Sequence, residues 1–376
     1  MSGKITPLCC IFNYAPHYRL PIFRKLDSEC SAHFYFGNRL PTGESIEKLD
    51  YSALSGFVRE LQVRSLKLGP TTIECTSGWM RLALSSQYRQ YLITPNPFAL
   101  NQWLFLLLCR MMGKRVYAWT HGLKTAQIPR RTLRLWRLYD RLLQGSFLYG
   151  DFARRNMIGL GFAPQKLHLI YNSLNYSLSK SLRLSALQNP YAERWSGENP
   201  TLVFIGRLTA VKRLDMLVEA VRLLEKRGVT PNVVMVGDGP LRQHLQQSLR
   251  DREALRYWFV GALYDESEIA RYLYWADLCV SPGNVGLTAI HALSYGLPVI
   301  TNDNFETQMP EFEAIEQGRT GDFFCEGDVG SLADRIELWL SRNPNREQVR
   351  QRCYEVIDTK YNPSHQVEVL SQVLDL

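Results

Sequence analysis

The feature that most constrains the fold is the alternation of short apolar runs with longer amphipathic segments along the whole chain. Strands that alternate with helices in this way form parallel sheets, because each helix returns the chain to the start of the next strand. In the second half the predicted strands are Thr201–Ile205, Asn232–Val236, Tyr257–Val260, Leu278–Ser281 and Pro298–Thr301. The helices predicted there are Leu214–Arg227, which ends at Gly228, a helix from Leu241, Glu266–Trp275 and Thr288–Tyr295. This spacing is typical of a doubly wound α/β sheet.

The first half shows the same alternation with less regular spacing. Its predicted strands are Ile5–Phe12, Ala32–Phe36, Tyr91–Thr94, Arg115–Trp119, Phe147–Tyr149 and Leu167–Tyr171. Three helices are predicted there: one that starts with Leu20–Leu26, and the helices Phe98–Met112 and Thr132–Leu143. A chain of 376 residues is long enough for two domains. Composition shifts across Ser177–Pro200, which contains Gly197 and two Asn-Pro pairs, so we place the boundary near residue 175. The predicted domains are residues 1–175, with a terminal helix in 362–376, and residues 176–361.

Composition excludes several classes of protein. Hydrophobic residues make up 45% and charged residues 21% of the chain, which is typical of a folded globular protein rather than a disordered one. The longest apolar run, Trp103–Cys109, is too short to span a bilayer, and we expect no signal peptide in the first residues. The eight cysteines form no C-x-x-C pair and no zinc-binding spacing, so we expect a reduced, cytosolic protein without a structural metal.

Charge is distributed unequally between the two halves. Residues 1–175 contain 23 Lys and Arg against 9 Asp and Glu, a net charge of +14, whereas the remainder carries −6. A strongly basic half predicts an anionic partner, and a nucleic acid, an anionic membrane surface and a phosphorylated substrate all fit.

The turn after the first strand of the second half contains Gly206, Arg207 and Lys212. The glycine permits a tight turn, and two cations five residues apart beside a helix start suit a pyrophosphate. A solvated loop with ordinary cations would have the same sequence pattern. The spacing alone therefore leaves open whether this turn binds a pyrophosphate or is only a solvated loop.

A second anion-seeking turn follows the strand Leu278–Ser281. There the backbone amides of Val285, Gly286, Leu287 and Thr288 lead into a helix, and we expect them to be free to bind an anion. One such turn is often only a connection, but two in one domain favour a ligand site at the carboxyl ends of the strands.

These motifs, taken in order, resemble the donor-binding half of family 4 glycosyltransferases, which are retaining enzymes of the GT-B fold. The resemblance covers roughly residues 200–345 and depends on Gly206-Arg-Leu…Lys212, Val236-Gly-Asp-Gly-Pro240, Val260-Gly261, Tyr274-x-Ala-Asp277, Gly286-Leu…Gly296-x-Pro-Val299 and Thr320-Gly321. The first half is similar to members that build bacterial surface polysaccharides, through Pro16-His-Tyr-Arg19, Trp119-Thr-His-Gly122, Leu148-Tyr-Gly150 and Asn172-Ser-Leu-Asn-Tyr176. The fold implied is GT-B: two Rossmann-like doubly wound parallel-sheet domains that face a cleft, with the C-terminal helix crossing back to the first domain.

The resemblance also implies roles for individual residues. Arg207 and Lys212 would bind the donor diphosphate and stabilise the leaving group, and the amides of residues 285–288 would hold the distal phosphate and the sugar. Glu311 matches a position on the nucleotide side, the stretch that includes Gly261 and Tyr264 would lie by the base, and His121 would lie near the sugar and phosphate. Front-face displacement, in which the leaving phosphate helps to deprotonate the acceptor, needs no carboxylate nucleophile, bound metal or cofactor; the nucleotide sugar is a co-substrate.

One departure from the family pattern concerns the donor. The family has two glutamates eight positions apart, and here those positions hold Gly283 and His291. Asn284 is an alternative donor to sugar hydroxyls, and His291 an alternative partner for a ribose hydroxyl. Either the donor contacts are altered or the protein is an inactive relative, and the intact pair Arg207 and Lys212 favours the first.

A basic amphipathic helix in the first half suits an anionic lipid surface. Its arginines are Arg130, Arg131, Arg134, Arg137 and Arg141. A solvated helix whose apolar face joins the core is the alternative. In the loop after the first strand, His17, Tyr18 and Arg19 are candidates for binding an acceptor or its phosphate, although this loop could equally serve only to cap the strand.

The function we expect is transfer of a sugar from a nucleotide diphosphate sugar to a glycan or lipid-linked acceptor, on the inner face of the cytoplasmic membrane. A non-catalytic sugar-nucleotide-binding relative and a GT-B-fold nucleotide-sugar epimerase are the alternatives. Nucleic acid is not expected as a partner, because no known nucleic-acid-binding module is found. NAD binding is rejected because the third glycine of a fingerprint starting at Gly237 would fall at Arg242.

Overall fold

The chain divides into two compact units. The computed structural model describes residues 6–38, 47–68, 71–185, 187–195, 199–249 and 256–374. Three features of the sequence analysis lie outside these ranges. They are Ile5 of the first predicted strand, Gly197 of the predicted linker, and the residues before Thr6, where no signal peptide is expected. The amino-terminal unit comprises Met1–Leu174 and Pro363–Leu376, and the carboxy-terminal unit comprises Asn175–Asn362.

The amino-terminal unit contains a seven-stranded parallel sheet in the order β3-β2-β1-β6-β7-β8-β9. The strands are β1 (Cys9–Phe12), β2 (His33–Gly37), β3 (Phe57–Leu61), β6 (Gln90–Ile93), β7 (Arg115–Thr120), β8 (Gly145–Leu148) and β9 (Leu167–Leu169), and a separate antiparallel hairpin is formed by β4 (Val63–Leu68) and β5 (Thr71–Thr76). The helices are α1 (Leu20–Cys30), α2 (Trp79–Leu84), α3 (Leu100–Met111), α4 (Arg130–Leu142) and α5 (Asp151–Gly159).

This sheet has a hydrophobic core on each face, which explains why a central strand such as β1 is a continuous apolar run rather than an alternating one. In β1, Cys10 and Phe12 lie in the core under α1, whereas Cys9 and Ile11 lie in the core under α3 and α4. Successive side chains of a strand point to opposite faces, so a strand covered on both sides must be apolar at every position.

The carboxy-terminal unit contains a six-stranded parallel sheet in the order β12-β11-β10-β13-β14-β15. Its strands are β10 (Thr201–Ile205), β11 (Asn232–Val236), β12 (Tyr257–Gly261), β13 (Leu278–Ser281), β14 (Val299–Asn302) and β15 (Gly321–Phe324). Its helices are α6 (Tyr176–Arg183), α7 (Leu214–Lys226), α8 (Arg242–Ser248), α9 (Glu266–Trp275), α10 (Thr288–Ser294), α11 (Val329–Arg342) and α12 (Arg346–Thr359). The strand order reverses between β10 and β13, and such a switch point leaves a crevice outside the carboxyl ends of the two strands.

The last helix, α13 (Pro363–Leu374), belongs to the amino-terminal unit and packs against α1. Val367, Leu370 and Leu374 lie in the same core as α1. The Gln366 side chain accepts a hydrogen bond from Ser173 Oγ at 2.6 Å and donates one to Tyr171 O at 2.9 Å. The chain therefore returns to its first sheet after completing the second, as expected from the sequence.

The predicted strands match observed strands to within a few residues, but several elements escaped prediction. These are β3, the β4–β5 hairpin, β15, and the helices α2, α5, α6, α11 and α12. The hairpin lies outside the main sheet, and α2, α5 and α6 span nine residues or fewer, which is too short for a clear helical period. All eight cysteines are free thiols. Within the described residues, no helix combines the length and apolarity that crossing a bilayer requires.

Candidate functional site

The first predicted anion-binding turn is built by close contacts between backbones at three neighbouring strand ends. Gly206, directly after β10, has φ +142° and donates its amide to Val236 O at 3.0 Å. A Cβ at Gly237 would lie 1.9 Å from Gly206 O, and the Gly237 amide donates to Gly261 O at 2.7 Å. The glycines are therefore required by positive φ and by close approach of the strand ends.

Lys212 ends the short 3₁₀ helix Ala210–Lys212 and is directed into the second loop. Its Nζ donates to Asn284 O at 2.5 Å. Burial lowers the pKa of the Lys212 ammonium, and the nearby Glu311 carboxylate opposes that shift. Arg207, in contrast, is exposed, and its guanidinium has no hydrogen bond or ion pair within the described part of the chain. One cation thus holds the loop and the other is available to a ligand.

The second loop is joined to the first through its backbone. The Gly283 amide donates to Lys212 O at 3.1 Å and the Asn284 amide donates to Val211 O at 3.2 Å. A Cβ at Gly283 would lie 1.9 Å from Val211 O. The glycine is therefore fixed by this approach, and a glutamate at position 283 does not fit the observed loop.

The backbone amides at the start of α10 are only partly as expected. The amide of Val285 is not free, because it donates to Gln308 Oε1 at 2.8 Å, so that prediction was wrong. Among the described residues, the amides of Gly286, Leu287 and Thr288 have no acceptor. The Thr288 hydroxyl donates to Ile205 O at 3.1 Å and ties the helix start to the end of β10.

Sequence reasoning missed the side chains that hold this loop from β14. Thr301 Oγ1 donates to Ser281 O at 2.8 Å, and Asn302 Nδ2 donates to Pro282 O at 2.8 Å. Buried Gln308 bridges the segment, with Nε2 3.3 Å from Gly283 O. The available signal was a group of polar residues directly after a buried strand, at the same edge of the sheet as the loop.

The two residues proposed to replace the family glutamates both have partners. His291 Nε2 lies 2.8 Å from Glu266 Oε1, and Tyr295 Oη donates to the same oxygen at 2.5 Å. Burial raises the pKa of the Glu266 carboxyl, but the interactions with His291 and Tyr295 outweigh burial and hold it below its usual value. The Asn284 side-chain amide donates to Thr307 O at 2.6 Å, so one of its two N–H donors is already engaged.

The remaining predicted donor residues have different environments. Glu311 is 2% exposed, on the 3₁₀ helix Pro310–Ala314. Gly261 ends β12 with φ +96°. Tyr264, in the loop before α9, is 89% exposed and is free to contact a ligand.

In the amino-terminal unit, Arg19 and His121 meet around two aromatic rings. The Arg19 guanidinium carbon lies 4.8 Å from the Trp119 ring centroid and 5.3 Å from that of Tyr149. The His121 ring lies 4.7 Å from Tyr149, and its Nδ1 is inaccessible and has no hydrogen-bond partner among the described residues. Burial, together with Lys124 and Arg19, lowers the pKa of His121 to about 4.

The other two residues of the predicted acceptor loop contact each other. His17 is exposed, with its amide donating to Glu47 O at 3.1 Å and Nδ1 3.9 Å from a Glu47 carboxylate oxygen. Tyr18 lies edge-on to His17, with ring centroids 5.8 Å apart. Arg19 is thus the member of the predicted acceptor loop that the structure shows beside His121 and its aromatic neighbours.

A cavity of about 210 Å³ opens at the carboxyl ends of β1 and β6. Its polar lining includes Asn13, Thr94, Asn96 and Gln102, and Trp79 contributes an aromatic wall. Planar amides beside an indole ring suit a polar ligand with an apolar face.

Similarity to known proteins indicates the class of enzyme. Residues 199–342 match the family described as glycosyl transferases group 1. A Mycobacterium tuberculosis protein named GDP-mannose-dependent alpha-(1-6)-phosphatidylinositol dimannoside mannosyltransferase is 28% identical over 298 residues, which cover 74% of this chain and 73% of that protein. The chain is a glycosyltransferase.

Two further similarities extend this result. The amylovoran biosynthesis glycosyltransferase AmsK of Erwinia amylovora is 26% identical over 196 residues, which cover 50% of this glycosyltransferase and 42% of AmsK. The crystal structure of Anabaena HepE in complex with UDP superposes with a TM-score of 0.69 at 13% identity, covering 98% of this chain and all of that one. The second likeness concerns the fold alone, which is GT-B: two Rossmann-like units with parallel sheets.

The arginine-rich helix α4 of the glycosyltransferase is exposed on one side and packed on the other. Arg130, Arg131, Arg134 and Arg141 are exposed and have no hydrogen bond or ion pair from their side chains within the described ranges. Arg137 differs, because its guanidinium donates to Leu160 O, with Nε at 2.9 Å.

The apolar face of α4 packs largely against the rest of the amino-terminal unit. Leu133 and Trp136 pack against one core of the amino-terminal unit, and Tyr139 and Leu142 pack against another. The predicted lipid-facing helix therefore exposes its arginines, whereas most of its apolar side chains are partly or fully buried and Leu138 is the most exposed of them.

Proposed function

We propose that this glycosyltransferase is a retaining enzyme that transfers a sugar from a nucleotide diphosphate sugar to a glycan or lipid-linked acceptor in cell-surface polysaccharide synthesis. The observation that carries the proposal is the pair of joined loops after β10 and β13. Lys212 binds the backbone of Asn284, while three amides at the start of α10 and the guanidinium of Arg207 have no partner among the residues that the structure describes. Amides at a helix start beside fixed cations form an anion site.

In this proposal the loops bind the donor diphosphate and stabilise its departure. Arg207 pairs with phosphate oxygens, and the amides of Gly286, Leu287 and Thr288 hold the distal phosphate. Negative charge grows on the leaving phosphate as the glycosidic bond breaks, so donors aimed at that phosphate lower the barrier. Lys212 adds positive charge next to the same site and keeps the two loops together.

The acceptor would be positioned by the amino-terminal unit. Because the pKa of His121 is lowered to about 4, its ring is neutral at physiological pH and can donate or accept a hydrogen bond without adding charge. The cavity lined by Asn13, Asn96 and Trp79 has the mixed polar and aromatic lining that a sugar ring requires. In a front-face displacement the leaving phosphate removes the acceptor proton, so His121 orients a substrate hydroxyl rather than acting as the base.

The proposed location of the enzyme is the inner face of the cytoplasmic membrane. The similar mycobacterial protein is named for a phosphatidylinositol dimannoside substrate, which is a lipid, and AmsK for amylovoran synthesis. The exposed arginines of α4 would bind anionic headgroups. No metal or cofactor is proposed, and the nucleotide sugar is a co-substrate.

Thermal stabilisation by nucleotides tests the donor site. The purified protein is melted with UDP, GDP, dTDP, CMP or ADP, and with NAD as a control. A ligand at 100 times its dissociation constant adds about 2.7 kcal/mol of stability, so one nucleotide should raise the melting temperature clearly. The sugars of that nucleotide are then assayed for transfer, and NMR of the product anomer should show retention. No stabilisation by any nucleotide would contradict the donor site, and binding without turnover would support the non-catalytic alternative.

A further inference from the structure

Helix α3 exposes a row of large apolar side chains. Leu100, Leu104, Leu107 and Met111 follow helical spacing along one side, and they are 76%, 50%, 46% and 82% exposed. The opposite side of α3 is buried through Phe105, Leu106 and Cys109. We call these four exposed residues the α3 stripe. An apolar row of this length on the surface marks an interaction site.

The exposed arginines of α4 run beside the α3 stripe. Both helices pack on the same core of the first sheet, so their outer sides face away from it in the same direction. The helices are in direct contact: the Trp103 and Tyr139 rings are 5.2 Å apart, and Arg110 Nη1 donates to Arg141 O at 2.9 Å. An apolar row and a basic row therefore lie on neighbouring helices of one surface.

This surface carries almost no negative charge. Between Phe98 and Leu143 the sequence has nine Lys and Arg and a single acid, Asp140. Asp140 is buried, and burial raises the pKa of its carboxyl. A partner for this surface must therefore be anionic and must also offer an apolar phase next to the anions.

We propose that the α3 stripe enters the acyl region of an anionic bilayer while the arginines of α4 bind its phosphate headgroups. A bilayer supplies both environments within a few ångströms of each other, and arginine stems can follow the apolar phase while their charges reach the headgroups. A second copy of the chain fits less well, because a symmetric contact would bring the two rows of arginines together. The proposal rests on the membrane location given above and assigns the apolar contact to α3 rather than to α4.

Vesicle partition separates insertion from simple attraction of charge. The wild type and the double variant Leu104→Gln, Leu107→Gln are sedimented with vesicles of phosphatidylglycerol and phosphatidylcholine. The double variant should partition about tenfold more weakly or worse, since each leucine loses its burial in the bilayer. At about 1 M NaCl, where charges are screened beyond ~3 Å, the wild type should retain binding and the double variant should lose it. Only the wild type should raise the surface pressure of a phosphatidylglycerol monolayer.

Controls distinguish failure of this proposal from failure of the proposed function. Leu184→Gln changes an exposed leucine after α6 in the other unit and should bind vesicles as the wild type does. The triple variant Arg130→Gln, Arg134→Gln, Arg141→Gln should lose about a hundredfold at low salt. Nucleotide stabilisation and transfer to a soluble acceptor should persist in the leucine variant; their absence from the wild type would contradict the function and leave the vesicle result to stand by itself.

Three outcomes would overturn the insertion. The leucine variant could bind vesicles as tightly as the wild type. Salt at about 1 M could release the wild type completely, which would leave only electrostatic attraction. Light scattering could show a dimer that the leucine changes dissociate without altering vesicle partition, which would make the α3 stripe a contact between copies.

Discussion

At the residue scale, the approach of two backbones explains the residues that depart from the family pattern. Position 283 holds glycine because Val211 O occupies the space that a Cβ would need. His291 is engaged with Glu266, which also binds the Tyr295 hydroxyl. Both positions are thus held by contacts within the carboxy-terminal unit.

Gly283→Glu should therefore fail to restore a donor contact. The new side chain must displace the backbone of Val211 and with it Lys212, so we expect a loss of about 2–4 kcal/mol in stability and a clear loss of turnover. Thermal melting and a transfer assay measure both. Gly159→Ala, at the end of α5 where a Cβ meets nothing within 4 Å, is the matched control and should cost nothing. A stable and more active Gly283→Glu protein would refute the assigned loop geometry.

Arg207→Ala should reduce the rate more than nucleotide affinity. The guanidinium is exposed and has no partner among the described residues, so its removal should leave the fold intact. It should delete the charge that we propose binds the leaving phosphate. Loss of one such donor typically lowers kcat by ~10²–10³. Arg227→Ala, an exposed arginine paired with Asp334 and Glu337 at the end of α7, serves as the control. Equal kcat in the two variants would remove Arg207 from the site.

The stability of the amino-terminal unit should depend on His121 in mildly acid solution. The pKa of His121 is about 4 in the folded protein and near 6.5 when unfolded, so the unfolded chain binds the proton more readily between these values. Its contribution is complete above pH 6.5 and is lost as the pH falls toward 4, by about 1.4 kcal/mol per pH unit at most. His121→Gln should flatten this part of the curve of melting temperature against pH. An unchanged curve would show that His121 is solvated.

At the element scale, lysine side chains bind carbonyl groups at the carboxyl ends of two helices of the amino-terminal unit. Lys114 Nζ, directly before β7, donates to Ala83 O at 2.6 Å and Ser85 O at 2.5 Å at the end of α2. Lys166 Nζ, directly before β9, donates to Asp140 O at 3.0 Å and Leu143 O at 2.7 Å at the end of α4. Carbonyl groups at the carboxyl end of a helix lack intrahelical donors. A cation there also interacts favourably with the negative end of the helix dipole.

Lys166→Met should destabilise the carboxyl end of α4, while the methionine retains the packing of the aliphatic part of the lysine side chain. We expect a loss of about 1–3 kcal/mol, because two carbonyl groups lose a charged donor. Lys226→Met, on an exposed helix end, should change stability by less than about 0.5 kcal/mol. The melting temperatures of the two variants are compared. Equal values would show that water satisfies the two carbonyl groups as well as the lysine does.

At the scale of the whole molecule, the chain completes its first unit with its last helix. α13 fills the core beside α1, so the first 174 residues leave an apolar face of their sheet uncovered until residues 363–374 are in place. The core of the amino-terminal unit thus depends on contacts between residues more than three hundred positions apart.

Leu370→Ala should destabilise the amino-terminal unit selectively. Leu370 is fully buried, and removal of such a side chain costs about 2–5 kcal/mol. Nucleotide should still raise the melting temperature of the carboxy-terminal unit, because the donor loops lie entirely within it. Gln372→Ala, exposed on the same helix, is the control. Loss of nucleotide stabilisation in Leu370→Ala would show that the donor site needs an intact first unit.

The alternation of strands and helices, and the position of the turns after β10 and β13, could be predicted from the sequence alone. These features depend on local periodicity and on glycines whose backbone conformation is set within a few residues. The tertiary structure decided which side chains remain available. Gln308 accepts a hydrogen bond from the Val285 amide and Glu266 pairs with His291. Three of the four leucines of α4 are partly buried, whereas three of the five leucines of α3 are exposed. Such outcomes depend on residues distant in sequence that pack together, and apolar spacing in a helix does not tell whether its apolar side meets a core or the surroundings.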